Sequence, residues 1–117
     1  MKLVKSDTKE WLEKTGYSKK VYLDENDLNT KGIFVQKNKI KAGKIAESHY
    51  HKKQTEIFYF LNNNGYFIVN GKRVDTQEDD ILVIKPFDKH TVVNNTKKDF
   101  LYLAFKLNYE EDDLFWD

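Results

Sequence analysis

From Val21 onward the chain is a succession of short apolar runs, rich in β-branched and aromatic residues and set apart by polar turn-formers. Val21-Tyr22-Leu23, Ile33-Phe34-Val35 and the stretch about Ile40 are divided by Asp24-Glu25-Asn26-Asp27 and Asn29-Thr30-Lys31-Gly32. Residues 56–61, 66–69, 81–84, 90–93 and 100–107 continue the series. Such side chains fit a pleated, half-buried surface, and Asn70-Gly71 is the dipeptide favoured in a two-residue hairpin. Many short strands with regular turns predict an all-β domain, an antiparallel sandwich or barrel.

The two ends read differently. Asp7-Thr8-Lys9-Glu10 has the spacing of a capping box and Gly16 suits a helix C′ position, which predicts a short helix over about 8–15 with Trp11 and Leu12 as its buried edge. At the other end four consecutive acids, Glu110 to Asp113, precede Leu114, Phe115 and Trp116. The acids read as solvated charge, and the aromatic pair as a segment that folds back onto the barrel or onto a partner subunit. No repeat or low-complexity linker divides the chain, so residues 1–117 read as one domain with an N-terminal arm (7–28) and a C-terminal tail (109–117).

Composition narrows the partners. Twenty basic and 19 acidic residues leave a formal charge of +1, with no net pull toward nucleic acid or a membrane surface. Cysteine is absent, which excludes disulfides, zinc ribbons and thiolate catalysis. The charged N-terminal residues lack the apolar stretch of a signal peptide, and no run approaches the ~18 apolar residues of a membrane helix, so a cytoplasmic location is expected. Arg73 is the sole arginine. A guanidinium clamp on carboxylate or phosphate is therefore not expected, which counts against dianionic substrates. A small molecule or a protein remains as partner.

The chemistry gathers in one place. All three histidines, His49, His51 and His90, fall in a pattern with Glu56. On a strand, His49 and His51 share a face about 6.6 Å apart, close enough for both imidazoles to reach one ion, while Tyr50 points the other way. Glu56 opens the next strand with Phe58 and Phe60 on its face, and a carboxylate in an aromatic interior is costly unless paired or bound to metal. His90 starts a later strand and shares its face with Val92 and Asn94. Gln54, Phe58, Phe60, Ile84, Val92, Asn94 and Phe105 are candidates for the pocket wall or for groups just behind the ligands; ordinary barrel core is the competing reading for the apolar ones, and turn capping for Asn94.

These residues carry a resemblance to the cupin superfamily, in its small single-domain form. The first cupin motif, G-x5-H-x-H-x3,4-E-x6-G, is matched by Gly43, His49, His51, Glu56 and Gly65, with two extra residues before Gly65. The second, G-x5-P-x-G-x2-H-x3-N, aligns with Asp79, Lys85, Phe87, His90 and Asn94, keeping the histidine and asparagine and replacing both glycines and the proline. Asp79 tolerates the left-handed backbone that glycine would supply, whereas Phe87 does not do so easily, so the turn before His90 is expected to change shape. The resemblance implies a jelly-roll barrel, or double-stranded β-helix, over about 33–107. It also implies one divalent transition metal (iron, manganese, nickel, copper or zinc) on His49, His51, Glu56 and His90. The function it implies is metal-centred chemistry on a small molecule, as an oxygenase or as a Lewis-acid isomerase, lyase or decarboxylase; a non-catalytic ligand-binding or sensing role is the alternative. Homodimers are common among such proteins, and residues 21–28 and the Phe115-Trp116 tail are the segments expected to cross between subunits.

Overall fold

The structure, a computed structural model, describes residues 1–117. Eleven strands follow one another: β1 (Leu12–Lys14), β2 (Tyr17–Leu23), β3 (Phe34–Ile40), β4 (Ile45–Tyr50), β5 (Thr55–Phe60), β6 (Tyr66–Val69), β7 (Lys72–Asp75), β8 (Ile81–Ile84), β9 (His90–Val93), β10 (Phe100–Leu107) and β11 (Phe115–Trp116). One antiparallel sheet has the order β1-β2-β3-β10-β5-β8 and the other β11-β4-β9-β6-β7. The protein is thus an all-β jelly-roll barrel. The expected hairpin at Asn70-Gly71 joins β6 to β7, with both residues at positive φ (50° and 81°), as a type I′ turn requires.

The helix expected over 8–15 is replaced by a single 3-10 turn, Ser6–Thr8, followed by β1. Gly16 sits in the two-residue loop of the β1–β2 hairpin at φ +82°, so the glycine read as a helix stop is a strand reversal. A Cβ there would meet the Ile45 carbonyl oxygen at 2.5 Å, because the loop lies directly on β4. Ladder bonds to β2 outweigh the weak helical preference of so short a segment. The reciprocal capping box occurs instead at Asp24 and Asp27, on the four-residue helix α1 (Glu25–Leu28). Trp11 lies beneath the Lys39 and Lys20 ammoniums, 4.0 and 5.0 Å from its ring centroid.

Inside the barrel each long strand runs from apolar to polar. The inward residues of β10 are Phe100, Tyr102, Ala104 and Lys106; those of β5 are Phe60, Phe58 and Glu56; those of β3 are Ile40, Asn38 and Gln36. One half of the barrel is therefore plugged by aromatic rings. Phe60 and Phe100 stack at 5.6 Å, with Phe67, Phe58 and Tyr102 packed edge-on or tilted around them. Each of these buried rings contributes roughly 1.5–3 kcal/mol. A Cβ on Gly65 would run into the Phe100 ring, which fixes a glycine where the chain turns over the plug. The other half of the barrel, where the inward residues are polar, encloses a cavity of about 540 Å³.

Candidate metal centre

The side chains that matter come from β4, the loop after it, β5 and β9. Ala46 and His49 on β4 pair with Val92 and His90 on β9, so three residues on one strand advance against two on the other. This bulge inverts the alternation. Ala46 is buried in the core, and without the extra residue His49 and His51 would face outward with Ile45; with it they turn into the barrel. Tyr50 consequently faces outward, stacked between Phe115 (5.4 Å) and Phe87 (6.3 Å).

His49, His51, Glu56 and His90 converge, each offering a ligand atom within 4.8 Å of the others. Ligands about 2.1 Å from an ion on opposite sides stand about 4.2 Å apart, so the set is close to coordination geometry as it stands. Glu56 and His90 are buried, at 5% and 2% exposure. Each imidazole is fixed from behind, since Nδ1 of His49 donates to the Glu47 carbonyl (3.0 Å), that of His90 to the Asp88 carbonyl (3.0 Å) and that of His51 to the Asp113 carbonyl. With Nδ1 carrying a proton on each ring, the Nε2 atoms point at the cluster; that of His51 also holds a proton against Glu56, which an ion would displace to leave the tautomer a metal requires. The donor set thus fits a divalent transition ion.

Electrostatics follow from the same contacts. Burial lowers His49 to about 4, helped by the charge of His90, and burial also lowers His90 against the opposing pull of Glu56. For His51 the burial effect is outweighed by the hydrogen bond and charge of Glu56, 3.1 Å from its Nε2, and its pKa rises. Glu56 itself is held below the usual carboxylate range: burial opposes ionisation, but His51, His90 and Lys106 prevail.

The loop from His51 to Gln54 owes its shape to the tail. Asp113, 8% exposed, accepts the backbone N–H groups of Lys52 (2.8 Å), Lys53 (3.0 Å) and Gln54 (2.9 Å) on its carboxylate, while its carbonyl takes His51. Burial resists its charge, yet the three donors keep its pKa low. Sequence reasoning took Asp113 for one of four solvated acids; the three flanking acids are exposed and only this one turns inward. Beyond it Phe115 and Trp116 pair with Tyr50 and His49, so the tail completes its own barrel, and residues 21–23 likewise pair with β3 of the same chain.

The turn before His90 keeps its left-handed residue. Asp88 N–H bonds to the Lys85 carbonyl across Pro86 and Phe87, with φ +71° at Phe87, the third position, where a type II turn demands it. Asp79, at the motif's other replaced glycine, has φ +74°. The expected change of shape is therefore absent. A positive φ on a bulky residue costs roughly 1–2 kcal/mol, offset by the Phe87 N–H bond to the His51 carbonyl (2.7 Å) and by its stack on Tyr50.

The remaining candidates separate. Gln54, Phe58 and Val92 line the cavity. Phe60 and Ile84 belong to the packed core instead. Asn94 ties loops together, donating to the Ile40 and Lys98 carbonyls (2.8 Å each) and accepting from Thr96. Phe105 is on the outer face of β10, between Val35 and Ile57, because the inward parity runs through Tyr102, Ala104 and Lys106. Its strand is apolar on both faces, so alternation could not tell the sides apart. Tyr17, Lys19, Gln36, Asn38, Tyr102 and Lys106 were not foreseen in the cavity wall.

A family model described as "Cupin domain" matches residues 38–106. An oxalate-binding protein of Thermotoga maritima is 27% identical over 82 residues, covering 70% of this chain and 68% of that protein. The crystal structure of a predicted oxalate decarboxylase from Thermotoga maritima superposes with a TM-score of 0.77 at 23% identity, over 91% of this chain and 98% of that one. The polyketide cyclase RemF from Streptomyces resistomycificus gives 0.83 at 14% identity, over 99% and 84%. At these identities the two structures speak for the fold.

Proposed function

This chain belongs to the cupin domain family, and from that premise we propose that it holds one divalent transition ion on His49, His51, Glu56 and His90 and acts on a small molecule by metal-centred chemistry. The observation that carries this reading is the fixing of all three Nδ1 atoms by backbone carbonyls, which leaves three Nε2 donors beside one buried carboxylate. When bound, such an ion supplies a Lewis acid toward a substrate oxygen or, if it is iron, a redox centre. Glu56 would offset part of the ion's charge, and Phe58 and Val92 are apolar groups of the same cavity wall. There is no fourth histidine to move protons. Tyr17, raised to about 12 chiefly by burial and then by Glu56, keeps its proton at neutral pH and is an O–H donor into the cavity. A non-catalytic binding role is favoured by one observation, the likeness to a protein named for binding oxalate.

The test is elemental analysis of untagged protein purified without oxygen. Close to one divalent ion per chain is expected; no metal, with none taken up on reconstitution, overturns the reading. Near-stoichiometric iron directs the search to oxygen uptake with small acids, phenols and diketones, and zinc, nickel or manganese to Lewis-acid reactions. Binding of a small acid without turnover by the loaded protein favours the binding role.

We further propose a homodimer formed through the outer face of the six-stranded sheet rather than by exchange of arm or tail. Ile81 and Val83 are 62% and 43% exposed there, in register with Tyr59 and Ile57, and Phe105 continues the row. Sedimentation at micromolar concentration should give twice 13.9 kDa, and Val83→Lys should return the monomer; a wild-type monomer contradicts the proposal. No helix is long and apolar enough to cross a membrane.

A further inference from the structure

The metal reading leaves one wall of the cavity without a task. Lys106 is the last inward residue of β10 and pairs in register with Glu56, while Lys19, on β2, the next strand but one, pairs with Asn38 of β3. Neither ammonium takes part in a salt bridge or donates a hydrogen bond within the protein; Lys106 has only the Tyr109 ring, 5.4 Å from its Nζ. Both side chains are half-buried in the cavity wall, Lys19 level with Tyr102 and Lys106 four residues further along β10. Gln54, in the wall of the same cavity, is 2% exposed, and its Nε2 has no hydrogen-bond partner. Buried N–H groups of folded proteins are nearly always paired, so an unpaired one in a cavity wall has room for a bond to water or to a ligand.

Charge accounting points the same way. Glu56 offers one negative charge, shared among His51, His90 and Lys106. Asp113 is spent on three backbone N–H groups, and Glu110, at the rim, is paired with Lys53. The other charged groups of the wall, Lys14, Glu47 and Asp112, are exposed. The cavity is also much larger than a two-carbon acid needs.

We propose that Lys19, Lys106 and Gln54 form a carboxylate subsite, so that the small molecule handled at the histidine cluster is an organic acid of several carbons with an anionic group held at the lysines and an oxygen-bearing group at the cluster. The arrangement revises the inference from arginine scarcity, because lysines supply the countercharge instead. It rests on the proposed metal function only for the second half of that statement; the subsite itself requires no ion.

Metal-free protein, prepared with a chelator, is titrated calorimetrically with oxalate, malonate, succinate, glutarate and inorganic phosphate. At least one of the longer dicarboxylates should bind. Lys106→Met and Lys19→Met should each weaken it by on the order of tenfold to a hundredfold, as expected for a lost hydrogen bond to a charged group, with a smaller loss in Gln54→Leu. Both lysine replacements keep most of the stem, and Lys106→Gln replaces Lys106→Met if the latter melts early. Absence of binding by every dicarboxylate, equal binding by the lysine variants, or preference for phosphate over all the acids overturns the proposal. Metal content, measured on the same preparations before chelation, separates this failure from failure of the metal site.

Discussion

Replacing His51 by alanine is expected to lower metal affinity by more than about 100-fold, since losing even a group behind a ligand typically costs about 10–100-fold. The effect should be the largest of any single change at the site. His51 is both a candidate donor and the partner of the Glu56 carboxylate at 3.1 Å, and it links the cluster to the tail through the Asp113 carbonyl. Tyr50→Phe is the control. Its ring lies outside, between Phe87 and Phe115, and phenylalanine preserves both stacks. Metal per chain by elemental analysis should fall steeply in the first variant and stay level in the second, and equal occupancy would remove the site as described. Because the alanine variant also leaves Glu56 with a weaker set of partners, a melting curve must accompany it, and His90→Ala provides a second route to the same readout.

Asp113→Ala is the second large effect. Three backbone N–H groups at Lys52, Lys53 and Gln54 lose a charged acceptor at once, and the loop between His51 and Glu56 loses its shape. Bonds to charged groups contribute about 1.5–3 kcal/mol each where fully buried, and water can rescue part of the loss here, so a net cost of about 3 kcal/mol is expected. The tail should detach with it, because β11 is only two residues long and follows directly. Denaturant melts and amide exchange at residues 52–54 measure this. Glu111→Ala, at an exposed neighbour, should stay within about 0.5 kcal/mol of wild type; equal effects of the two changes would mean that Asp113 is ordinary surface charge. Metal affinity should drop in parallel, since the His51 ring is held by the same residue.

Much of the fold was legible because it follows from local chemistry. The β-formers between turn residues placed most strands, and Asn70-Gly71 became the hairpin that its backbone preferences dictate. The N-terminal segment was misread because a capping-box spacing and a glycine are compatible with either a helix or a hairpin, and only the partner strand β2 decides. Phe105 was misplaced for a related reason: with apolar residues on both faces of β10, nothing in the strand itself says which face is inside.

The sequence by itself determined the candidate set, because histidine and carboxylate at these spacings are covalent facts, and it put His49, Glu56 and His90 on strands. Tertiary structure decided everything that depends on which way a strand faces and what arrives from far along the chain. One extra residue in β4 turns His49 and His51 inward, a choice that exists only once β9 is paired beside it. Asp113, more than fifty residues after the loop it holds, becomes a structural acid only when the tail folds back. Lys19 and Lys106 lie on strands separated by β3, and they share the inner face of one sheet only because β2 and β10 pair with opposite edges of β3. Side-chain alternation is a local property with period two, whereas register, bulges and barrel closure are set by pairing between distant segments.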